Sequence, residues 1–156
     1  PILYKEMGLI MKQAAELDWK PIFIGGDGFS PSMHEIAGDA MEGSYWVYSM
    51  DLGNPQMLYL LSRYEKEYGA PAAEPGNVAY AYDLVTWVAD AIRRAGKADP
   101  KAIRDAMENT QNLRLVHFTL TVDKATHNPL NKPAAMMLWK NQLFNFLEMW
   151  APQDKF

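Results

Sequence analysis

The sequence predicts an α/β fold in which helices alternate with short strands of a parallel sheet. Apolar residues at helical spacing in Lys5 to Leu17 precede a short apolar run, Pro21 to Ile24, and a second helix then leads to the aromatic and β-branched run Ser44 to Ser49. This alternation is typical of a parallel sheet with helices on its faces. Two further runs, joined around Lys140 to Gln142, predict a C-terminal β-hairpin.

The first half of the chain contains two helix–strand pairs with recognisable ends. The opening helix stops at Asp18, a residue type that tolerates left-handed geometry. Pro21 to Ile24 predicts a fully buried strand, because the run is short, β-branched and bounded by Pro and Gly. The next helix has Ser30 or Ser32 as its cap, with Pro31 near the first position.

Three helices without an intervening strand occupy the middle of the chain. They run from Asn54-Pro55 to about Tyr68, from just after Gly76 and Asn77 to about Gly96, and from Asp99-Pro100 to about Met107. On the second of these helices a stripe at helical spacing is predicted to be buried: Val78, Ala81, Val85, Val88 and Ile92. Leu115 to Trp150 then predicts three strands, the last two forming the hairpin.

Composition excludes several classes of site. The chain has no Cys, which rules out disulfides, thiolate catalysis and Cys-ligated zinc. Its net charge of −4, with both signs mixed, gives no electrostatic reason to expect nucleic acid or an anionic membrane as partner. His34, His117 and His127 lack i,i+4 spacing and have no acidic residues at metal-ligand intervals in the sequence, so they are interpreted as surface or packing residues; no metal and no cofactor are expected.

The motif Gly25-Gly26-Asp27-Gly28 carries the leading site prediction. It places Asp27 at the carboxyl end of a strand, where open α/β sheets hold their ligands, and the glycines leave the carboxylate uncrowded. Asp27 either pairs with a ligand cation, a contact worth about 1.5–3 kcal/mol, or bonds its own backbone in a turn. Asn77, at a predicted helix start, either faces a ligand or caps the helix.

The same motif also resembles the nucleotide site of diacylglycerol kinases and NAD kinases. In those enzymes the motif continues with Thr, whereas Phe29 stands here and offers no hydroxyl to a phosphate. A kinase-like nucleotide enzyme is therefore the alternative function, and no catalytic residue is assigned.

Longer phrases, in consistent order and spacing, resemble the extracytoplasmic solute-binding proteins of ABC transporters for branched-chain amino acids, which form a type I, two-lobed periplasmic class. The phrases are Leu3 to Gly8, Lys12 to Ala14, Pro21 to Gly28, Ala37 to Gly43, Ala79 to Asp83, Asp99-Pro100 with Ile103 to Ala106, and His127 to Pro129 with Lys132 to Ala134. The resemblance implies a protein that is not an enzyme. It implies a cleft between two Rossmann-like lobes that delivers a small amino acid or related solute to a membrane permease.

The resemblance also assigns residues and a location. It implies that Asp27, beside Gly26, holds the ligand's α-ammonium, and that Leu3 and Tyr4 fall where the family often has two tyrosines, one lining the cleft. Asn77 falls at a cleft-facing helix start. Leu3 in place of Tyr, and Asn77 in place of an aromatic residue, leave the ligand's side chain unassigned. The expected location is periplasmic or extracellular, with a lipid-anchored form left open and no signal peptide within this chain.

The resemblance further implies that the chain is the C-terminal half of such a protein, an incomplete fold. Residues 1–50 would belong to ligand-binding lobe 2, 51–125 to lobe 1, and 126–156 to the hinge return and the last strands of lobe 2. Incomplete lobes would expose apolar faces such as that of Tyr82, Val85 and Val88. The expected partner is the missing N-terminal half or a second copy of the chain, and a third function class is a self-associating fragment without ligand.

Overall fold

The structure is a computed structural model that describes residues 3–26, 28–130 and 132–151. The described residues form two compact units. Unit 1 comprises the described part of Pro1–Asp51 together with Ala134–Trp150, and unit 2 is built from Leu52–Pro133. Within these ranges, no helix is long and apolar enough to span a membrane.

Unit 1 combines two helices and two short 3₁₀ turns with a four-stranded sheet. Its elements are α1 (Tyr4–Glu16), β1 (Ile24–Gly25), the 3₁₀ turns Pro31–Met33 and Gly38–Met41, α2 (His34–Ala37), β2 (Tyr45–Tyr48), β5 (Ala134–Lys140) and β6 (Leu143–Trp150). The strand order is β1-β2-β5-β6, with β1 and β2 parallel and the other pairs antiparallel. The α/β class is confirmed, but the sheet is mixed rather than parallel, because the chain returns to unit 1 as a hairpin running antiparallel to β2.

Aromatic rings form the centre of the unit 1 core. Trp46 on β2 is fully buried and stacks on Trp139 of β5 at 6.1 Å. Phe29 and Phe144 meet Trp46 edge-on at 4.6 and 4.3 Å, contacts worth about 0.5–1.5 kcal/mol each beyond their buried area. The Trp46 Nε1–H donates to Ser44 Oγ at 2.9 Å, so the buried indole keeps its hydrogen bond.

The first predicted strand differs from its expectation. The strand is Ile24–Gly25, and the side chains of Ile22 and Ile24 are 73% and 71% exposed. The prediction of a fully buried strand is therefore wrong. Burial depends on what covers a strand, and in the described residues β1 is an edge strand paired with β2 alone.

A side chain outside the C-terminal hairpin holds its two-residue turn. Asn141 and Gln142 both have positive φ, 55° and 59°, as the preferred two-residue hairpin turn requires. Their N–H groups donate to the Glu42 carboxylate at 2.9 and 3.0 Å. The predicted hairpin is confirmed, and its turn is fixed to a distant part of unit 1.

Unit 2 contains the three predicted helices and a two-stranded sheet: α3 (Pro55–Tyr68), α4 (Pro75–Ala95), α5 (Pro100–Glu108), β3 (Leu113–Arg114) and β4 (Thr119–Leu120). The Asn54 and Asp99 side chains accept N–H bonds from Gln56 and Ala102 at 2.8 and 2.9 Å, as caps do. Gly69 adopts left-handed geometry at the end of α3 and Gly96 at the end of α4.

Two details of unit 2 depart from the sequence expectations. Helix α4 begins at Pro75, so Asn77 is its third residue and not a cap; Pro is well suited to the first helical position. The segment 126–133, expected with the last strands, lies in unit 2. It folds back there because Leu130 N–H donates to the Thr121 carbonyl at 2.8 Å and Asp123 N–H to that of Asn128 at 2.9 Å. The assignment of the units to lobes stays a prediction.

Candidate functional site

The loop that follows β1 is anchored by an aromatic ring. A Cβ added at Gly25 would lie 2.2 Å from the Phe29 ring, so only glycine lets the ring pack against this strand. Phe29 is buried, and its N–H donates to the Gly26 carbonyl at 3.2 Å. A Cβ at Gly26 would meet no atom within 4 Å, so the space beside the loop is open. Asp27, the leading site residue, lies outside the described residues, and its role stays a prediction.

The two candidate residues at the start of α1 have different environments. Leu3 precedes the helix in an extended conformation and is 67% exposed. Tyr4, the first helical residue, is partly buried and packs against the core cluster that contains Phe29 and Trp46. The ammonium of Lys5 lies 5.9 Å from the centre of the Tyr4 ring. Packing therefore holds the Tyr4 side chain in place, whereas the Leu3 side chain is largely exposed to solvent.

Asn77, the remaining candidate, lies in unit 2 and is exposed. It lines a groove of about 1410 Å³ bounded by α3, α4 and the segment Arg114 to Val116. The lining of the groove is mostly apolar, with Tyr59, Leu60, Tyr82, Val85 and Leu115 among its residues. The predicted site residues therefore divide between the units: Leu3, Tyr4 and Gly26 in unit 1, and Asn77 in unit 2.

The apolar stripe predicted on α4 is not buried. Val85 and Ile92 are 68% and 41% exposed, and Ala81 is also exposed. The buried residues of α4 are Gly76, Ala79, Asp83 and Ala91. Three of these four residues are small, and helix α5 packs against α4.

A buried acid–imidazole pair was missed by the sequence analysis. Asp83 Oδ2 lies 2.7 Å from His117 Nδ1, and the two side chains are 7% and 4% exposed. The two atoms lie close together without meeting hydrogen-bond geometry in the described structure. Asp83 Oδ1 does accept an aligned bond from Val116 N–H at 2.8 Å. The available signal was a carboxylate among apolar residues of a helix, which needs a partner when buried.

Two of the three histidines lie close to carboxylates that are distant in sequence. His117 pairs with Asp83, and His127 Nδ1 lies 3.7 Å from Glu108 Oε1 at an exposed position. His34 contacts the Trp139 ring at 5.7 Å. Both acidic partners are distant in sequence, so spacing rules for metal ligands did not reveal them. In the part of the chain that the structure describes, no group of three His, Asp or Glu residues is placed to hold a metal ion.

Comparison with known proteins gives these features a family. Residues 5–142 match the family described as "Periplasmic binding protein". The chain belongs to the periplasmic binding protein family. It is 31% identical over 140 residues to the Leu/Ile/Val-binding protein homolog 2 of Brucella abortus, and 31% identical over 106 residues to the leucine-, isoleucine-, valine-, threonine- and alanine-binding protein of Pseudomonas aeruginosa. The resemblance found in the sequence is confirmed.

Solved structures of this periplasmic binding protein class agree with the fold. A leucine-binding protein from Thermotoga maritima matches with a TM-score of 0.83 at 27% identity over 98% of the chain. A branched-chain amino acid transporter substrate-binding protein from Streptococcus pneumoniae, in complex with isoleucine, matches with a TM-score of 0.82 at 26% identity over 97% of the chain. The chain spans 37% of the Brucella relative and 44% of the Thermotoga protein, so the matched fold is incomplete.

Proposed function

We propose that this chain is part of the solute-binding component of an ABC transporter and contributes to a cleft that binds a small amino acid of the branched-chain type. The observation that carries the proposal is the match over 97% of the chain to a protein whose structure contains isoleucine. The names of the Brucella and Pseudomonas relatives support the same ligand class. The partner of such a component is a membrane permease, and its place is extracytoplasmic.

The loop after β1 supports a direct role in ligand binding. Phe29 fixes the base of the loop in the core, while the space beside Gly26 stays open. Asp27 lies between Gly26 and Phe29 in sequence and supplies a carboxylate for an α-ammonium group. Tyr4 offers an aromatic face held by packing. This arrangement binds and orients a solute, and it requires no catalytic group.

The alternative of a nucleotide-binding enzyme loses its support at Phe29. The related kinase motif needs a hydroxyl at this position, and Phe29 is instead a buried core ring in contact with Trp46.

An isolated half of a two-sided cleft would bind a small solute poorly, because small-molecule sites typically enclose about 70–90% of their ligand. The proposal therefore concerns the longer protein that its relatives represent.

The test is a calorimetric titration of leucine, isoleucine and valine, with ATP as the comparison, into a full-length protein that carries this chain. Saturable binding of at least one of the amino acids, with no binding of ATP, is expected. Binding of ATP alone, or binding of none of the amino acids, contradicts the proposal. The 156-residue chain, measured in parallel, is expected to bind the same amino acids weakly or not at all.

A further inference from the structure

Strand β6 forms a long outer edge of the unit 1 sheet. Within the described residues its only sheet partner is β5, so one row of its backbone N–H and C=O groups has no strand beside it. The strand has eight residues, and all except Phe144 are exposed. Five of the exposed residues are large and apolar: Leu143, Phe146, Leu147, Met149 and Trp150. An edge of this kind is a template for another strand.

Most features that protect sheet edges are missing from β6. Such edges are usually short or carry Lys, Pro or several charges. In β6 the only charged residue is Glu148, and neither Lys nor Pro occurs in it. A bulge does interrupt the pairing with β5: Met136 faces Glu148 and Met137 faces Phe146, which leaves Leu147 as the extra residue. This bulge determines which pairings the free edge allows.

The pairing with β5 shows which residues of β6 share a face, since residues directly opposite in an antiparallel pair project to the same side. Phe144, Phe146 and Met149 are opposite the buried Trp139, Met137 and Ala135, and so lie on the core side. Leu143, Asn145, Glu148 and Trp150 are opposite Lys140, Leu138, Met136 and Ala134, and so lie on the other side.

We propose that β6 pairs antiparallel with β6 of a second copy about a two-fold axis at its centre, giving a continuous sheet of eight strands. In this register Leu143 faces Trp150 of the other copy and Phe144 faces Met149, each pair lying on one face. Without the bulge at Leu147, these pairs would lie on opposite faces and the register would be forbidden.

A second copy suits this edge better than an unrelated strand. Antiparallel pairing with a second β6 continues the alternating strand directions of β2-β5-β6, and identical edges are complementary about a two-fold axis. The register also places Glu148 opposite Asn145 of the other copy, so the only charges on the two strands do not face each other. The proposal concerns assembly, and it holds or fails independently of amino-acid binding.

Cysteine cross-linking tests the register, and the chain has no native Cys to interfere. Leu143→Cys mixed with Trp150→Cys is expected to give a disulfide-linked dimer on mild oxidation. Neither variant alone should do so, because like positions would be about 23 Å apart at ~3.3 Å per residue. Cross-linking of either variant with itself, or none in the mixture, would overturn the register.

Light scattering tests the association itself. The chain is expected at twice its mass of 17.7 kDa. Leu147→Lys should weaken the dimer at least about tenfold, because an edge lysine opposes strand addition. Leu58→Lys, at an exposed apolar position on α3, is the matched control and should leave the dimer intact. Circular dichroism confirms that each variant is folded. A monomeric parent chain, or a dimer unaffected by Leu147→Lys, would show that β6 is not the interface.

Discussion

Asp83 holds two consecutive residues of the segment after β3 through its two carboxylate oxygens. Oδ1 accepts the Val116 N–H at 2.8 Å, and Oδ2 lies 2.7 Å from His117 Nδ1. Both side chains of the pair are buried. The His117 ring also contacts Phe118 at 4.7 Å and Tyr80 at 6.0 Å. One carboxylate on α4 thus fixes the backbone and the side chain of a segment 33 and 34 positions further along the chain.

We expect Asp83→Ala to destabilise unit 2 by about 1–3 kcal/mol, because it removes the acceptor of the Val116 N–H and the carboxylate beside the buried His117 ring. Asp90→Ala on the same helix is the matched control. Asp90 pairs with Arg94 at 2.7 Å but is partly solvated, so its loss should cost less than about 1 kcal/mol. Urea unfolding of the two variants measures the difference in the free energy of unfolding. An equal loss in both would mean that the Asp83 contacts stabilise the protein no more than an exposed ion pair does.

Gly25→Ala is expected to lower stability by about 1–3 kcal/mol, because the added methyl group overlaps the buried Phe29 ring. Gly26→Ala is the neighbouring control, with no atom within 4 Å of its new Cβ. Thermal unfolding should separate the two variants clearly. If both substitutions had the same effect, the packing of Phe29 against Gly25 would not be what fixes this loop.

Asp27→Ala, in a full-length protein that carries this chain, is expected to weaken amino-acid binding at least about tenfold, or ~1.4 kcal/mol, because the ligand ammonium loses its anionic partner. Asp39→Ala, an exposed acidic position in the same unit, should leave affinity unchanged. Calorimetry on both variants makes the comparison. Unaltered affinity in Asp27→Ala would remove this residue from the proposed site.

The carboxyl of Asp105 is expected to titrate below its ordinary pKa of 3.8, because hydrogen bonds from Lys101 and then Arg104 favour the charged form. Because the pKa of Asp105 is lower in the folded state, ionised Asp105 stabilises the fold. This stabilisation is complete above about pH 4 and is lost as the pH falls through the pKa of Asp105 in the folded state. Lys101→Met should move the pKa back up, whereas Lys97→Met should not. Carboxyl NMR titration measures both, and an unshifted Asp105 in the parent chain would contradict the expectation.

Local signals predicted the helices of unit 2 well. Asn54 and Asp99 cap the starts of α3 and α5, and Gly69 and Gly96 stand at the ends of α3 and α4. Exposure was predicted less well. Ile22 and Ile24 have the composition of a buried strand, but what covers a strand lies elsewhere in the chain or outside it. For the candidate site, the sequence motifs were enough to propose which residues contact the ligand. The pairing of Asp83 with His117 required the fold itself, because 34 positions separate them.

The interleaving of the two units has a consequence for how the protein is made. Tyr45 on β2 pairs with Leu138 on β5, 93 positions later, because unit 2 is inserted between the two segments of unit 1. At ~5–20 residues per second, a ribosome needs about 5–20 s to reach that partner, and during this time the ring of Trp46 lacks its stacking partner Trp139. The core of unit 1 can therefore close only after the whole of unit 2 and then β5 have been synthesised.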